Sequence, residues 1–141
     1  MIVNFSNGLN ILAILASGIA SLILGLVWYG PLFGKAWAGY TGWTEAKIKT
    51  IPGSRMARTY TLTFFAALVS AFVLSSLSRA LGASGAVDGL ILGLVTGIGI
   101  AAMGFATTFL FEHKPFGLWL IVAGYEVFYL VLAGIIVTVW R

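Results

Sequence analysis

The sequence predicts an all-α integral membrane protein: a four-helix antiparallel bundle with a short interfacial helix in its first cytoplasmic connector. Three observations predict it. Four apolar runs, at residues 8–29, 58–81, 88–111 and 116–140, each supply the ~20 residues a spanning helix needs. The chain is 60% hydrophobic and only 9% charged, with a mean hydropathy of +1.05, where soluble domains carry about 25% charge. The basic residues also cluster on one side of the runs. Lys35, Lys47, Lys49, Arg55 and Arg58 lie in the first connector and Lys114 in the third, against Arg79 and Arg141 on the other side. The four spans use most of the 141 residues, so a single transmembrane domain over 1–141 is expected, with any function in the bundle or its short loops.

The positive-inside rule puts connectors 30–57 and 112–115 in the cytoplasm and both termini outside, in a cell inner membrane. The net charge of +4 therefore reads as topology, and no nucleic-acid partner is expected. With no cysteine and one histidine, neither a disulfide nor a Cys/His metal site is expected, and nothing suggests a cofactor. The opening stretch MIVNFSNGLN lacks a basic region, and the first span is too long for a signal-peptide core, so that span is expected to be retained.

In the first span, Ala13, Ser17, Ser21 and Gly25 recur every four residues, a small-residue stripe on which another helix packs. Trp28 and Tyr29 follow as interfacial anchors, with Trp37 further on. Gly30-Pro31 is expected to stop the helix. A short interfacial helix then presents Leu32, Phe33, Ala36, Trp37 and Tyr40 on one face, with Pro31 at its first position. It reads either as a surface anchor or as a lid over a bundle cavity.

Thr44 is placed to cap a helix over 45–51, and Ser54 to cap the second span. The second span is rich in hydroxyls, among them Thr63, Ser70, Ser75, Ser76 and Ser78. After a Gly/Ala/Ser turn, Asp88 stands where an N-cap carboxylate belongs, or where a cation meets the outer mouth. The third span carries Gly89, Gly93 and Gly97, a double small-xxx-small run that calls for a close partner helix in this chain or in a second subunit. Glu112 and His113 in the inner hairpin read as a solvated turn, or as a proton-exchanging pair at the cytoplasmic mouth.

The fourth span carries Glu126 about 15 Å below the cytoplasmic surface. An acid at mid-bilayer costs about 2.5–3.5 kcal/mol, so it should face protein or water. Its helical face includes Trp119, Ala123, Tyr129, Leu130 and Ala133, and Ser17, Ser21, Ser70, Thr96, Tyr125 and Tyr129 are at reach by depth. Two readings of Glu126 stand side by side: a hydrogen bond that pins the bundle, or a proton- or cation-binding group in a cavity.

The block Trp28-Tyr29-Gly30-Pro31-Leu32-Phe33-Gly34-Lys35-Ala36-Trp37, with Gly42, Phe111-Glu112 to Pro115, Ala123-Gly124-Tyr125 and Gly134 to Trp140, resembles the bacterial membrane family known as domain of unknown function 1761. That resemblance implies a four-span bundle and brings no activity, cofactor or site. The sequence by itself points to an oligomeric bundle that binds or passes a small solute or proton around Glu126. The alternative is a non-enzymatic module that binds lipid or a protein partner. Membrane lipid, a second copy of the chain and a small-molecule ligand are the expected partners. No nucleophile–base pair, metal set or phosphate loop points to an enzyme.

Overall fold

Asn10 starts the first helix. Its side-chain oxygen accepts from the backbone N–H groups of Leu12 (3.0 Å) and Ala13 (3.2 Å), as an N-cap does. The computed structural model describes residues 8–141, so most of the opening stretch MIVNFSNGLN lies outside the described residues. Helix α1 spans Ile11–Val27 and runs into a π turn at Trp28–Leu32. Short helices α2 (Gly34–Thr41) and α3 (Glu45–Lys49) follow, then α4 (Gly53–Ala80). The next long segment is α5 (Gly85–Thr96), a second π turn (Gly97–Ala102) and α6 (Met103–Phe111); α7 is Phe116–Val139. Four helical segments are long and apolar enough to cross a membrane: Ile11–Leu32, Gly53–Ala80, Gly85–Phe111 and Phe116–Val139.

Gly30-Pro31 breaks the first helix as expected, with a kink at which two helices meet, and several other boundaries shift for local reasons. Proline has no N–H to give, and Gly30 takes a non-helical φ −98°, ψ −105°, so the ladder widens to Phe33 N–H on Trp28 C=O at 2.8 Å. The chain kinks and continues to Leu32, and α2 begins at Gly34 rather than at Pro31. A side chain at Gly34 would collide with the Tyr29 carbonyl, which explains the glycine there.

Thr44 does cap α3, accepting from Lys47 N–H at 3.2 Å. Ser54 caps nothing, because α4 already starts at Gly53, with the Pro52 carbonyl taking Arg55 and Met56 N–H. Asp88 is not the N-cap of the third span. Ser84 holds that position, and Asp88, one turn in, accepts the Ser84 N–H at 2.8 Å. Two helices end in the same hydrogen-bonded pattern. Ala83 N–H bonds Ser78 C=O around Gly82 (φ +69°), and Lys114 N–H bonds Phe109 C=O around His113 (φ +52°).

Packing centres on α7. The glycine stripe of the third span meets it within the same chain: a Cβ on Gly89 would strike Gly134, Ile135 and Thr138, on Gly93 Leu130 and Val131, and on Gly97 Val127. Numbers rise along one helix as they fall along the other. The buried core of Ala13, Ala67, Leu74, Leu92, Tyr129, Leu130, Ala133 and Val137 links α1, α4, α5 and α7. At that end Asn10 Nδ2 donates to Trp140 C=O (3.3 Å), Thr138 Oγ1 to Gly85 C=O (2.9 Å) and Arg141 Nη2 to Ser78 C=O (3.2 Å). The opposite half, toward the connector that holds α2 and α3, is where the bundle opens.

Candidate functional site

Tyr125, Glu126 and Tyr129 project from the middle of α7, a position set by helical spacing. Each tyrosine is tied to a neighbouring helix. The Tyr125 hydroxyl donates to the Ser21 carbonyl at 3.0 Å and lies 3.3 Å from the Ser21 hydroxyl, while Tyr129, 2% exposed, donates to the Ala67 carbonyl. Glu126 has no such tie. Among the described residues its carboxyl forms no hydrogen bond and no ion pair.

That carboxyl borders a cavity of about 80 Å³, lined also by Ser21, Thr63, Ala66, Ala67, Ser70, Tyr125 and Tyr129. Ser21, Thr63 and Tyr125 belong equally to a larger cleft of about 460 Å³ between α1 and α4. The cleft is walled by Tyr29, Trp37, Tyr60 and Tyr125, with Leu22, Leu26 and Met56 between them. Its volume is that of small-molecule pockets, roughly 300–1,000 Å³. The kink at Gly30 shapes one side: it folds α2 back so that Trp37 packs edge-on against Tyr29 (centroids 5.9 Å), whose ring also lies 5.5 Å from Tyr125. On its other flank Glu126 borders an open groove lined by Ile100, Ala101, Gly104, Phe105 and Thr108, beside the second π turn. The carboxyl thus sits where two spaces meet, between α4 and the third span.

The remaining candidate residues are placed as follows. Ser70 lines the small cavity, but its hydroxyl donates to Ala66 C=O at 3.2 Å. Ser17 and Thr96 do not line it; they donate to the carbonyls of Ala13 and Leu92, both at 2.8 Å, as hydroxyls on apolar helices often do. Trp119 turns away and donates from Nε1 to Ala102 C=O at 3.1 Å. Trp28, expected as an interfacial anchor, is 7% exposed. Its indole donates to Ile121 C=O at 2.9 Å and rests on Gly124, where a Cβ would crowd it; its helical backbone continues the inward stripe of Ser17, Ser21 and Gly25. Glu112 pairs with Lys114, whose ammonium also sits 5.2 Å from the centre of the Phe109 ring, and His113 supplies the left-handed residue of the helix cap.

Tyr60 and Met56, which complete the cleft, are not singled out by the sequence reading. The signal is present as the 56-60-63-67-70 spacing along α4, which puts all five on one face.

With this geometry in place the chain was compared with known proteins. It matches the family described as Protein of unknown function (DUF1761) over residues 12–138. The chain belongs to that family. The match covers the π turn at Trp28–Leu32, the Gly89/Gly93/Gly97 stripe and Glu126, so in this DUF1761 member the whole candidate site lies inside the family region. No curated protein and no solved structure matches it.

Proposed function

We propose that this DUF1761 protein is a multi-pass inner-membrane bundle that binds, and passes, a small solute or proton around Glu126, and that it does so without catalysing a reaction. The single observation that carries this reading is Glu126, whose carboxyl bonds no described group, on a small cavity that shares Ser21, Thr63 and Tyr125 with the aromatic-walled cleft. An acid in an apolar bundle is costly and serves function by default. The reading takes the four spans as an antiparallel bundle, supported by the contacts of Asn10 with Trp140 and of Ser78 with Arg141 at one end. It places both termini outside, connectors 30–57 and 112–115 in the cytoplasm, and α2 at the interface. The most apolar windows of the four segments are only 28%, 33%, 28% and 39% buried, which leaves surface for lipid and for further copies in a homo-oligomer.

Proteoliposomes with a trapped pH dye test the reading. Under an imposed pH gradient the wild-type protein is expected to dissipate the gradient faster than E126Q. Equal rates would remove Glu126 from the reading.

A second reading, a lipid-binding module, has one observation of its own. An apolar groove of about 270 Å³ runs between α6 and α7, lined by Met103, Phe109, Phe116 and Trp119, with Lys114 at its end. An acyl chain in the groove and an anionic headgroup on Lys114 fit that arrangement.

A further inference from the structure

We infer that the occupant of the cleft is an organic cation: a quaternary or protonated amine with an apolar, ring-sized body, held with its charge beside Glu126. The inference rests on the cleft-binding reading above and names the class of ligand within it.

Four features of the site select this class together. The first is charge. A carboxylate in an apolar bundle needs a counter-charge, and the described residues pair none with it: Lys114 pairs with Glu112 in the hairpin before α7, and Arg79 stands at the opposite end of α4 from the cleft. The second is the wall. Tyr29, Trp37, Tyr60 and Tyr125 present four aromatic rings to one cleft, and cations sit favourably over Trp and Tyr faces. The Tyr29 ring meets Trp37 edge-on at 5.9 Å and lies tilted against Tyr125 at 5.5 Å, so part of the wall is formed in advance.

The third is apolarity. Leu22, Leu26 and Met56 fill the gaps between the rings and offer nothing to a hydrated metal ion or a sugar. The fourth is size. The 80 Å³ cavity at Glu126 accepts a small ammonium head, while the 460 Å³ cleft accepts the body behind it. Thr63, whose hydroxyl bonds no other described group, lines both spaces together with Ser21 and Tyr125. The basic residues near the cytoplasmic connector do not oppose this. Lys35, Arg55 and Arg58 lie toward the connector's solvent side, and water and salt screen such charges over about 8–10 Å.

The test uses the full-length protein in lipid nanodiscs and three probes of one shape: benzyltrimethylammonium, its neutral carbon analogue neopentylbenzene, and the anion benzylsulfonate. Binding is read by saturation-transfer NMR and titration. Wild type is expected to bind the cation at least tenfold more tightly than the neutral analogue and to show no binding of the anion. E126Q is expected to lose that cation preference while still binding the neutral analogue. Trp37→Leu, on the outer wall and independent of the bundle core, is expected to weaken the cation severalfold. It keeps the inference testable if E126Q misfolds. If the neutral analogue binds wild type as well as the cation does, or if neither variant changes the preference, the ligand class is wrong and the cleft reading survives. If none of the three probes binds, both fall.

Discussion

The indole of Trp119 donates from Nε1 to the main-chain carbonyl of Ala102 at 3.1 Å, stitching α7 to the last residue of the second π turn. Trp28 does the reverse from the first π turn, donating to the Ile121 carbonyl of α7 at 2.9 Å. Each wide turn is therefore bonded to α7 by a tryptophan, on either side of the helix that carries Glu126. Single π turns inside α-helices often occur at functional sites. Trp119→Phe keeps an aromatic ring and deletes the bond. Interhelical bonds in membrane bundles contribute about 0.6–2 kcal/mol, and a loss in that range is expected in unfolding of the purified protein. No measurable change would mean that the bond contributes nothing to the fold.

Gly93 lies directly on the main chain of α7, since a Cβ there would stand 2.6 Å from the Leu130 carbonyl oxygen. That oxygen cannot rotate away as a side chain could. Gly93→Ala is expected to cost about 1–3 kcal/mol, the usual range for overpacking. Gly99→Ala, where a Cβ meets nothing within 4 Å, serves as the control and is expected to leave thermal stability close to that of wild type. Equal behaviour of the two variants would show that the helices do not meet through the glycines.

The Tyr129 hydroxyl is buried on the Ala67 carbonyl, whereas the Glu126 carboxyl bonds no described group. Their removal is expected to have opposite signs. Tyr129→Phe loses about 0.6–2 kcal/mol. Glu126→Leu removes a half-buried polar group in an apolar bundle that bonds no described group. It is expected to raise stability by about 1–3 kcal/mol while abolishing preference for the cationic probe. A less stable Glu126→Leu protein would identify the carboxyl as a structural tie. Thermal melts of both variants in one detergent decide the matter.

The chain has no cysteine, so single cysteines report its topology directly. A cysteine at Ser84, in the turn before α5, is expected to react with a membrane-impermeant maleimide from outside intact cells. One at Lys47, in α3, is expected to react only after permeabilisation. The opposite pattern would invert the orientation.

How much of the fold and site is legible in the sequence depends on how local the physics is. Hydropathy over 20-odd residues locates the four long helices, because an apolar run of membrane length is rarely needed by a soluble core. Gly89, Gly93 and Gly97 announce a close helix contact, though not that α7 of the same chain fills it. The Thr44 cap is a three-residue relationship and is readable. The π turns are not, because a widened ladder has no composition of its own: Gly30-Pro31 looks the same whether the chain stops or kinks. Trp28 continues the inward stripe of α1 and is buried, where the sequence reads as an interfacial anchor. At the site, depth counted from the helix ends brings Ser70 and Tyr129 to Glu126 but also suggests Ser17 and Thr96. Depth gives height and not azimuth, and those two hydroxyls bond their own helices. Tyr60 is missed because the cleft is assembled from elements distant in sequence.

The uneven distribution of contact has a mechanical consequence. Glycines press α5 against α7 along most of their shared length, while α4 barely touches α5 and leans on α1 and α7 instead. The connector between α4 and α5 turns on two glycines with positive φ, Gly82 and Gly85. The molecule is thus built as a stiff slab, α5 with α7, and a looser leaf, α1 with α4. A swing of the leaf on the slab would change the space at Glu126, and it would have to slip the Tyr125–Ser21, Tyr129–Ala67 and Trp28–Ile121 fastenings.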